Sequence, residues 1–406
     1  MLIAKILCWG ALGLIAYTYI GFPLLLLIRG LLVRRSIKKA TITPKISLII
    51  VAHNELATIG AKLANIVTLA YPPDKLEIII ASDGSDDGMN ELVAHHPDQR
   101  IRLLALPRQG KIPALNHAVT QATGEILVFS DANSMYKTDA LQMLIAPFAD
   151  PTVGAVGGNQ CYVPDATGNM VGLGERFYWN FDRTLKSMQS KAGNMISATG
   201  AIHAIRRELF RPVPLGVGDD FVISTRVIEQ GYRLVFEPKA IAYETIAPTD
   251  KAEFNRKVRV IVRGLRGLWA VKALFNPLRY GFYAIQITSH KLLRWSVGLL
   301  LIVLFIASLS LYGSGAAYRL FAQAQLIFYG FALIAWGLRN TALAYWKSFK
   351  LLALPFYFCL ANYAALCAWQ QVINGRRVDI WDSKRTASDG TRQEEHLGIN
   401  QIGTTG

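Results

Sequence analysis

Three short polar clusters carry the side chains able to do chemistry: His53-Asn54-Glu55, Ser82-Asp83-Gly84-Ser85-Asp86-Asp87-Gly88 and Ser130-Asp131-Ala132-Asn133-Ser134. Asp131 and Asn133 are two apart, which puts both side chains on one side of an extended backbone. Two such oxygen donors can help hold Mg²⁺ or Mn²⁺, with water and phosphate completing the shell; Asp and Asn in a turn is the plainer reading. Asp83 would repel a bare phosphate, so a metal or a base contact suits it better. Its loop lacks the spacing and closing Glu of an EF-hand. Gly110-Lys111 is not a P-loop, because the glycine five residues earlier is missing, but Lys111 can still meet a phosphate. Asp219-Asp220 reads as a helix cap plus first-turn acid, or as a general base that takes a proton from a hydroxyl.

These clusters need a frame that brings them together. Lys45–Ala52 (KISLIIVA), Leu76–Ala81 (LEIIIA), Ile101–Leu106 and Glu125–Phe129 (EILVF) are apolar runs of the kind buried in a parallel sheet. Helical stretches at 57–68 and 112–122 alternate with them, which predicts right-handed βαβ units and a doubly wound α/β sheet. Such sheets bind ligands at the carboxyl ends of their strands. All three polar clusters fall there. Further on, the sequence predicts a strand near 155–163, a helix over 174–190, a glycine-containing stretch 197–204, a helical 206–210, a helix from Asp219 to Gln230 and a strand over 232–243.

The chain has 406 residues, 52% of them hydrophobic and 17% charged, and a mean hydropathy of +0.28. That balance points to membrane spans. Residues 2–32 are long enough to cross a bilayer, and Arg34, Arg35, Lys38 and Lys39 follow directly, as for an anchor with its N-terminus outside. Residues 295–312, 320–338 and, less clearly, 351–373 are further apolar runs. The implied segments are an anchor at 1–33, a catalytic domain at 45–250, basic amphipathic helices at 251–294, apolar helices at 295–374 and a polar, disordered tail at 382–406. The net charge of +15 gathers in 251–294. Next to apolar spans, that segment fits anionic lipid better than nucleic acid, and no nucleic-acid partner is expected. Arg256, Arg259, Arg263 and Arg266 make one helical stripe, with Val258, Ile261, Val262, Leu265, Leu268 and Trp269 opposite. Guanidinium groups on that stripe suit lipid head groups or a leaving diphosphate. Arg376, Arg377, Lys384 and Arg385 favour an inside tail, against the outside end that the count of spans implies. The four cysteines show no metal or disulfide spacing and read as packing residues.

Over residues 45–294 the chain resembles the membrane-bound family-2 inverting glycosyltransferases, the group of cellulose, hyaluronan and poly-N-acetylglucosamine synthases. The resemblance rests on SLIIVAHNE, SDGSDDG, GKIPALNHAV, FSDANS, TGAIHAIRREL, GDDFVISTRVIEQGYRLVFEPKAIAYE and EFNRKVRVIVRG, in that order. It implies a GT-A fold, a UDP-sugar donor and a glycan or lipid-linked acceptor, and the basic run at the entry of the domain places it on the cytoplasmic side of the inner membrane. It also implies Mg²⁺ or Mn²⁺ at Asp131 and Asn133, and Asp220 as catalytic base. Glu55, Asp83, Lys111, Asp131, Asp219, Arg256 and Arg259 would bind the nucleotide-sugar. Asn133 replaces the second acid of the usual D-x-D, and Gly218-Asp219-Asp220 stands for T-E-D. Arg256-Lys257-Val258-Arg259-Val260 lacks the Gln and Trp of the Q-x-x-R-W of processive enzymes. Transfer of one or a few sugars is therefore expected rather than extrusion of a polymer, unless an export or assembly subunit takes part. Two rival readings are a polyprenyl-phosphate glycosyltransferase and a non-catalytic scaffold that binds lipid or nucleic acid through the basic helix.

Overall fold

The computed structural model describes residues 1–33, 35–163, 170–245, 250–338 and 350–375. The tail at 382–406, Arg34 and the arginines at 376 and 377 lie outside them. The chain forms two compact units. One is helical and built from Met1–Arg35, Pro164–Ile196 and Ile246–Arg377; the other is built from Ser36–Val163 and Ser197–Thr245 and contains the sheet.

The sheet unit has eight strands: β1 (Ile46–Ala52), β2 (Leu76–Asp83), β3 (Ile101–Leu106), β4 (Ile126–Ser130), β5 (Met135–Tyr136), β6 (Val153–Val163), β7 (His203–Arg206) and β8 (Arg233–Thr245). They lie in the order β3-β2-β1-β4-β7-β6-β8-β5. The first four are parallel, as the alternation of apolar runs and helices requires. Every residue of β1 is buried, so helices must cover both faces of this half. Helix Leu56–Val67 covers one face with Ile59, Leu63 and Ile66. In register, Ala52 pairs with Ser82 and Ile50 with Ser130, so the ends of β1, β2 and β4 stand together.

The second half departs from a purely doubly wound sheet. Residues 203–206 form β7, antiparallel to both β4 and β6, where the sequence reads as a glycine-containing stretch running into a helical segment. Only Arg207–Leu209 is helical, as a single 3₁₀ turn. Four residues of HAIR between larger signals are too short to show a period; pairing with β4 and β6 makes them a strand. The two-residue β5 closes the edge against β8.

In the helical unit, three helices among the described residues are long and apolar enough to cross a membrane: Leu2–Leu32, Phe282–Ser310 and Ala316–Leu338. The second begins well before the expected 295, because residues 282–293 continue the same helix through a π turn. Residues Lys350–Ile373 form one helix with Pro355 inside it. Cys8 and Ala11 pack on Leu304, Ala307 and Leu311. Phe22 and Leu26 pack on Leu185. In helix Asp250–Ala270, residues Val258, Ile261, Val262, Leu265 and Leu268 are buried as the stripe pattern requires. Trp269 is not: it is 75% exposed, because it falls at the helix end, one step past the packed face. All four cysteines are free.

Candidate active site

The sheet unit brings Lys111, Asp131, Asp219, Asp220 and His203 together. Helix Lys111–Gln121 begins at Lys111, and its ammonium lies 2.9 Å from Asp131 Oδ1 and 3.0 Å from Asp219 Oδ2. Burial pulls the lysine pKa down, but these two carboxylates outweigh burial and hold it well above the ordinary lysine range. Lys111 therefore remains charged between two acids that come from distant parts of the chain.

Asp219 and Asp220 open helix Asp219–Glu229. Asp220 Oδ1 accepts the backbone N–H of Phe221 at 2.8 Å; among the described residues Oδ2 has no hydrogen-bond partner. Burial, then repulsion from Asp219, pushes the Asp220 pKa up to about 6, against the pull of Lys111. A helix N-terminus favours a charged acid. Here the crowd of carboxylates and the loss of water win. A carboxylate with a free oxygen and a pKa near neutrality is suited to accept a proton.

Asp83 presents a different picture. It is fully buried, and its carboxylate accepts N–H bonds from Gln109 at 2.8 Å and Gly110 at 2.9 Å, with Arg108 Nη1 at 2.5 Å. His53 Nδ1 lies 2.8 Å from the Asp83 carbonyl oxygen. Gly84 follows at φ +63°, and a Cβ there would lie 2.7 Å from Arg108 N, so only glycine lets the two loops meet. Asp83 thus holds the turn that leads into Lys111. Glu55 is buried at the start of helix Leu56–Val67, where Oε2 accepts the Thr58 hydroxyl at 2.7 Å.

His203 was not singled out from the sequence. It pairs with Phe129 across β4 and β7, stacks on that ring at 4.9 Å, and lies near enough to Asp219 and Asp131 for their charges to act on it. Nδ1 contacts the Thr199 carbonyl oxygen at 2.9 Å, whereas buried Nε2 has no partner. Burial pushes its pKa down to about 4, so the ring is neutral. The one sequence signal was its place in TGAIHAIRREL, and no spacing distinguishes it there.

Among the described residues, no three His, Cys, Asp or Glu side chains converge on a metal position. A Mg²⁺ or Mn²⁺ ion that draws on phosphate and water needs only one or two carboxylates, however. Asp131 supplies one. Its Oδ2 faces Gly200, where a Cβ would lie only 2.8 Å away, so the glycine keeps a cradle open over that oxygen. Asn133 stands in the same loop, half-buried. This minimal set fits a metal held jointly with a diphosphate.

Arg256 and Arg259 belong to helix Asp250–Ala270 of the helical unit. Arg256 is paired with Glu253, Nε to Oε2 at 2.7 Å, and Lys257 reaches the same carboxylate at 2.9 Å.

The model of the family Glycosyl transferase family 2 matches residues 47–213, which include Glu55, Asp83, Lys111, Asp131 and His203. The chain carries a family-2 glycosyltransferase domain. The chain is 27% identical over 223 residues to Poly-beta-1,6-N-acetyl-D-glucosamine synthase of Staphylococcus aureus (strain COL). It is also 27% identical over 232 residues to Probable glycosyltransferase YdaM of Bacillus subtilis (strain 168). The match to the first spans 53% of this chain and 53% of the relative, about half the length of each. Among solved structures, Mannosyltransferase PcManGT from Pyrobaculum calidifontis, in complex with GDP-Man and Mn²⁺, superposes with a TM-score of 0.62 and 26% identity. The superposition covers 89% of this chain and 99% of that one, so the GT-A fold expected of the glycosyltransferase domain is present.

Proposed function

We propose that the chain is a membrane-held inverting glycosyltransferase that moves a sugar from a nucleoside diphosphate donor to a hydroxyl of a glycan or glycolipid. The observation that carries this reading is the pairing at one strand end of a half-engaged carboxylate, Asp220, with a cation, Lys111, held by Asp131 and Asp219. In the proposed reaction the acceptor oxygen attacks the anomeric carbon from the face opposite the diphosphate. The bond from that carbon to the diphosphate oxygen breaks, and its electron pair leaves with the nucleotide. Asp220 takes the proton of the acceptor hydroxyl on its open oxygen. Lys111 is placed to move from its carboxylates to the departing phosphates. Asp131, with Asn133 beside it, would hold Mg²⁺ or Mn²⁺, which when bound supplies charge neutralisation at the diphosphate. Attack from the opposite face inverts the anomeric centre, so an α-linked donor yields a β-linkage.

The remaining assignments belong to the same proposal. Asp83 and Glu55 act on the nucleotide side, Asp83 by holding the turn before Lys111. The three apolar helices anchor the enzyme in the inner membrane, with the sheet unit in the cytoplasm. The relatives speak for a nucleotide-sugar donor; the resemblance favours UDP, while the mannosyltransferase structure contains GDP-Man.

The test is nucleotide release by the purified, detergent-solubilised protein, with UDP- and GDP-sugars, with and without Mn²⁺, and with membrane lipid extract as acceptor. Metal-dependent release from one donor, lost in Asp220→Asn, is the expected result. Release that survives Asp220→Asn would instead mean a phosphate acceptor, which needs no base. No release from any donor would overturn the enzymatic reading.

A further inference from the structure

Beneath the Asp131–Ser134 turn lies a lysine with no exposed surface. Lys62 sits on the apolar face of helix Leu56–Val67, level with Ile59, Leu63 and Ile66. Its ammonium donates to Ser130 Oγ at 2.8 Å and to the Ser134 carbonyl oxygen, and lies 4.3 Å from the centre of the Tyr136 ring. Ser130 and Ser134 flank the segment that carries Asp131 and Asn133, and Ser134 N closes the turn on the Asp131 carbonyl at 3.2 Å. One cation therefore clips the two ends of this turn together.

Neighbouring groups reinforce the clip. The Ser134 hydroxyl donates to buried Glu244, which also accepts from Gln160 Nε2 at 2.6 Å. One helical turn beyond Lys62, Asn65 grips the Tyr136 backbone at both its N–H (2.7 Å) and its carbonyl (2.8 Å). Ser130 in turn donates to the Ala201 carbonyl at 3.3 Å, in the stretch that holds Gly200. Burying an amine is expensive, and an apolar chain of equal length would fill the same space without that cost. Burial brings the Lys62 pKa down to about 7, against the pull of Asp131 and Glu244. Both hydrogen bonds of this amine go to the turn.

We infer that Lys62 is a positioning residue for the diphosphate end of the site: by clipping Ser130 to Ser134 it holds Asp131 and Asn133 where a nucleoside diphosphate and its divalent cation bind. The inference rests on the glycosyltransferase reading given above and adds a residue to it. Lys62 touches neither substrate nor metal; it acts through the turn.

Calorimetric titration of UDP and GDP in Mn²⁺ into the full-length detergent-solubilised protein tests this without turnover. Four forms are compared: wild type, Lys62→Met, Asp131→Ala and the double variant. Lys62→Met should weaken nucleotide binding by about tenfold or more, the size expected when support behind a ligating group is lost, with a melting temperature close to wild type. Added to Asp131→Ala it should weaken binding much less than it does in wild type, because only Asn133 is then left to position. A purely structural role would give additive losses, and that result overturns the inference. So does Lys62→Met binding like wild type while Asp131→Ala loses affinity, an outcome that leaves the glycosyltransferase reading intact. If neither single variant changes binding, both fall together. Should Lys62→Met not fold, Ser130→Ala cuts one end of the clip and should weaken binding about threefold; wild-type affinity there equally overturns the inference.

Discussion

The end of β2 and the start of helix Asp219–Glu229 each present an aspartate at a place where ligands gather, yet the two carboxylates live under opposite conditions. Asp83 has both oxygens engaged by Arg108, Gln109 and Gly110. Asp220 has one oxygen engaged, by its own next residue, and faces Asp219 across the helix start. A carboxylate whose lone pairs are spent on backbone N–H groups organises a loop. One that is crowded by like charge and partly unsatisfied is ready to take a proton. The same residue type at equivalent sequence signals thus has two separate uses, and hydrogen-bond partners decide between them.

Replacing each acid should separate those uses. Asp220→Asn is expected to lower the transfer rate by about 10²–10⁴-fold, the range for loss of a general base, with nucleotide affinity unchanged. The same residue sets a pH signature. Transfer should rise with pH through about 6 as Asp220 ionises. Stability should move the other way. A folded pKa above the ordinary carboxylate range means that Asp220 contributes most below that range, and the contribution is lost as pH rises through about 6. Asp220→Asn, which mimics the protonated acid, should therefore melt higher than wild type at pH 8 and alike at pH 4. A pH-independent difference in melting would break the contrast.

Asp83→Ala should act first on the fold. It removes the acceptor that Arg108 and the N–H groups of Gln109 and Gly110 share, at a cost of about 3 kcal/mol in denaturant unfolding of the sheet unit. Its effect on transfer would come through the displaced Lys111. An Asp83→Ala protein as stable as wild type would show that the clamp is not what the residue supplies. Gly200→Ala is the smallest change. Its methyl group would lie 2.8 Å from Asp131 Oδ2, so Mn²⁺-dependent nucleotide binding should weaken by about tenfold while the melting temperature moves little. Equal nucleotide affinity would remove the cradle from the site.

The parallel half of the sheet was legible from continuous apolar runs such as Ile46–Ala52 and Leu76–Ala81, since a strand buried on both faces has little choice of composition. The three strand-end clusters followed from the same argument. The antiparallel β7 was not legible, because four residues carry no period. Trp269 fitted the stripe by count, but a helix end decides exposure by what packs beyond it. Lys62 did leave a trace: a lysine in phase with Ile59, Leu63 and Ile66 on an apolar helix face contradicts the pattern around it, and such a contradiction marks a special site. His203 left no signal in its spacing, because only the β4–β7 pairing brings it near Asp131.

By itself the sequence determined the class of the domain, the position of the acid-bearing loops at strand ends and the presence of long apolar helices. Periodicity and composition suffice for these, because burial and the geometry of strands and helices constrain residue type locally. Only the tertiary structure decided which acids are spent and which are open. It placed Lys111 between Asp131 and Asp219, filled the lone pairs of Asp83, left Asp220 half-satisfied and set a buried amine under the turn. Apart from the bond between Asp220 and its neighbour, those assignments depend on contacts between residues 20 or more positions apart, and proximity of that kind is created by packing rather than by spacing along the chain.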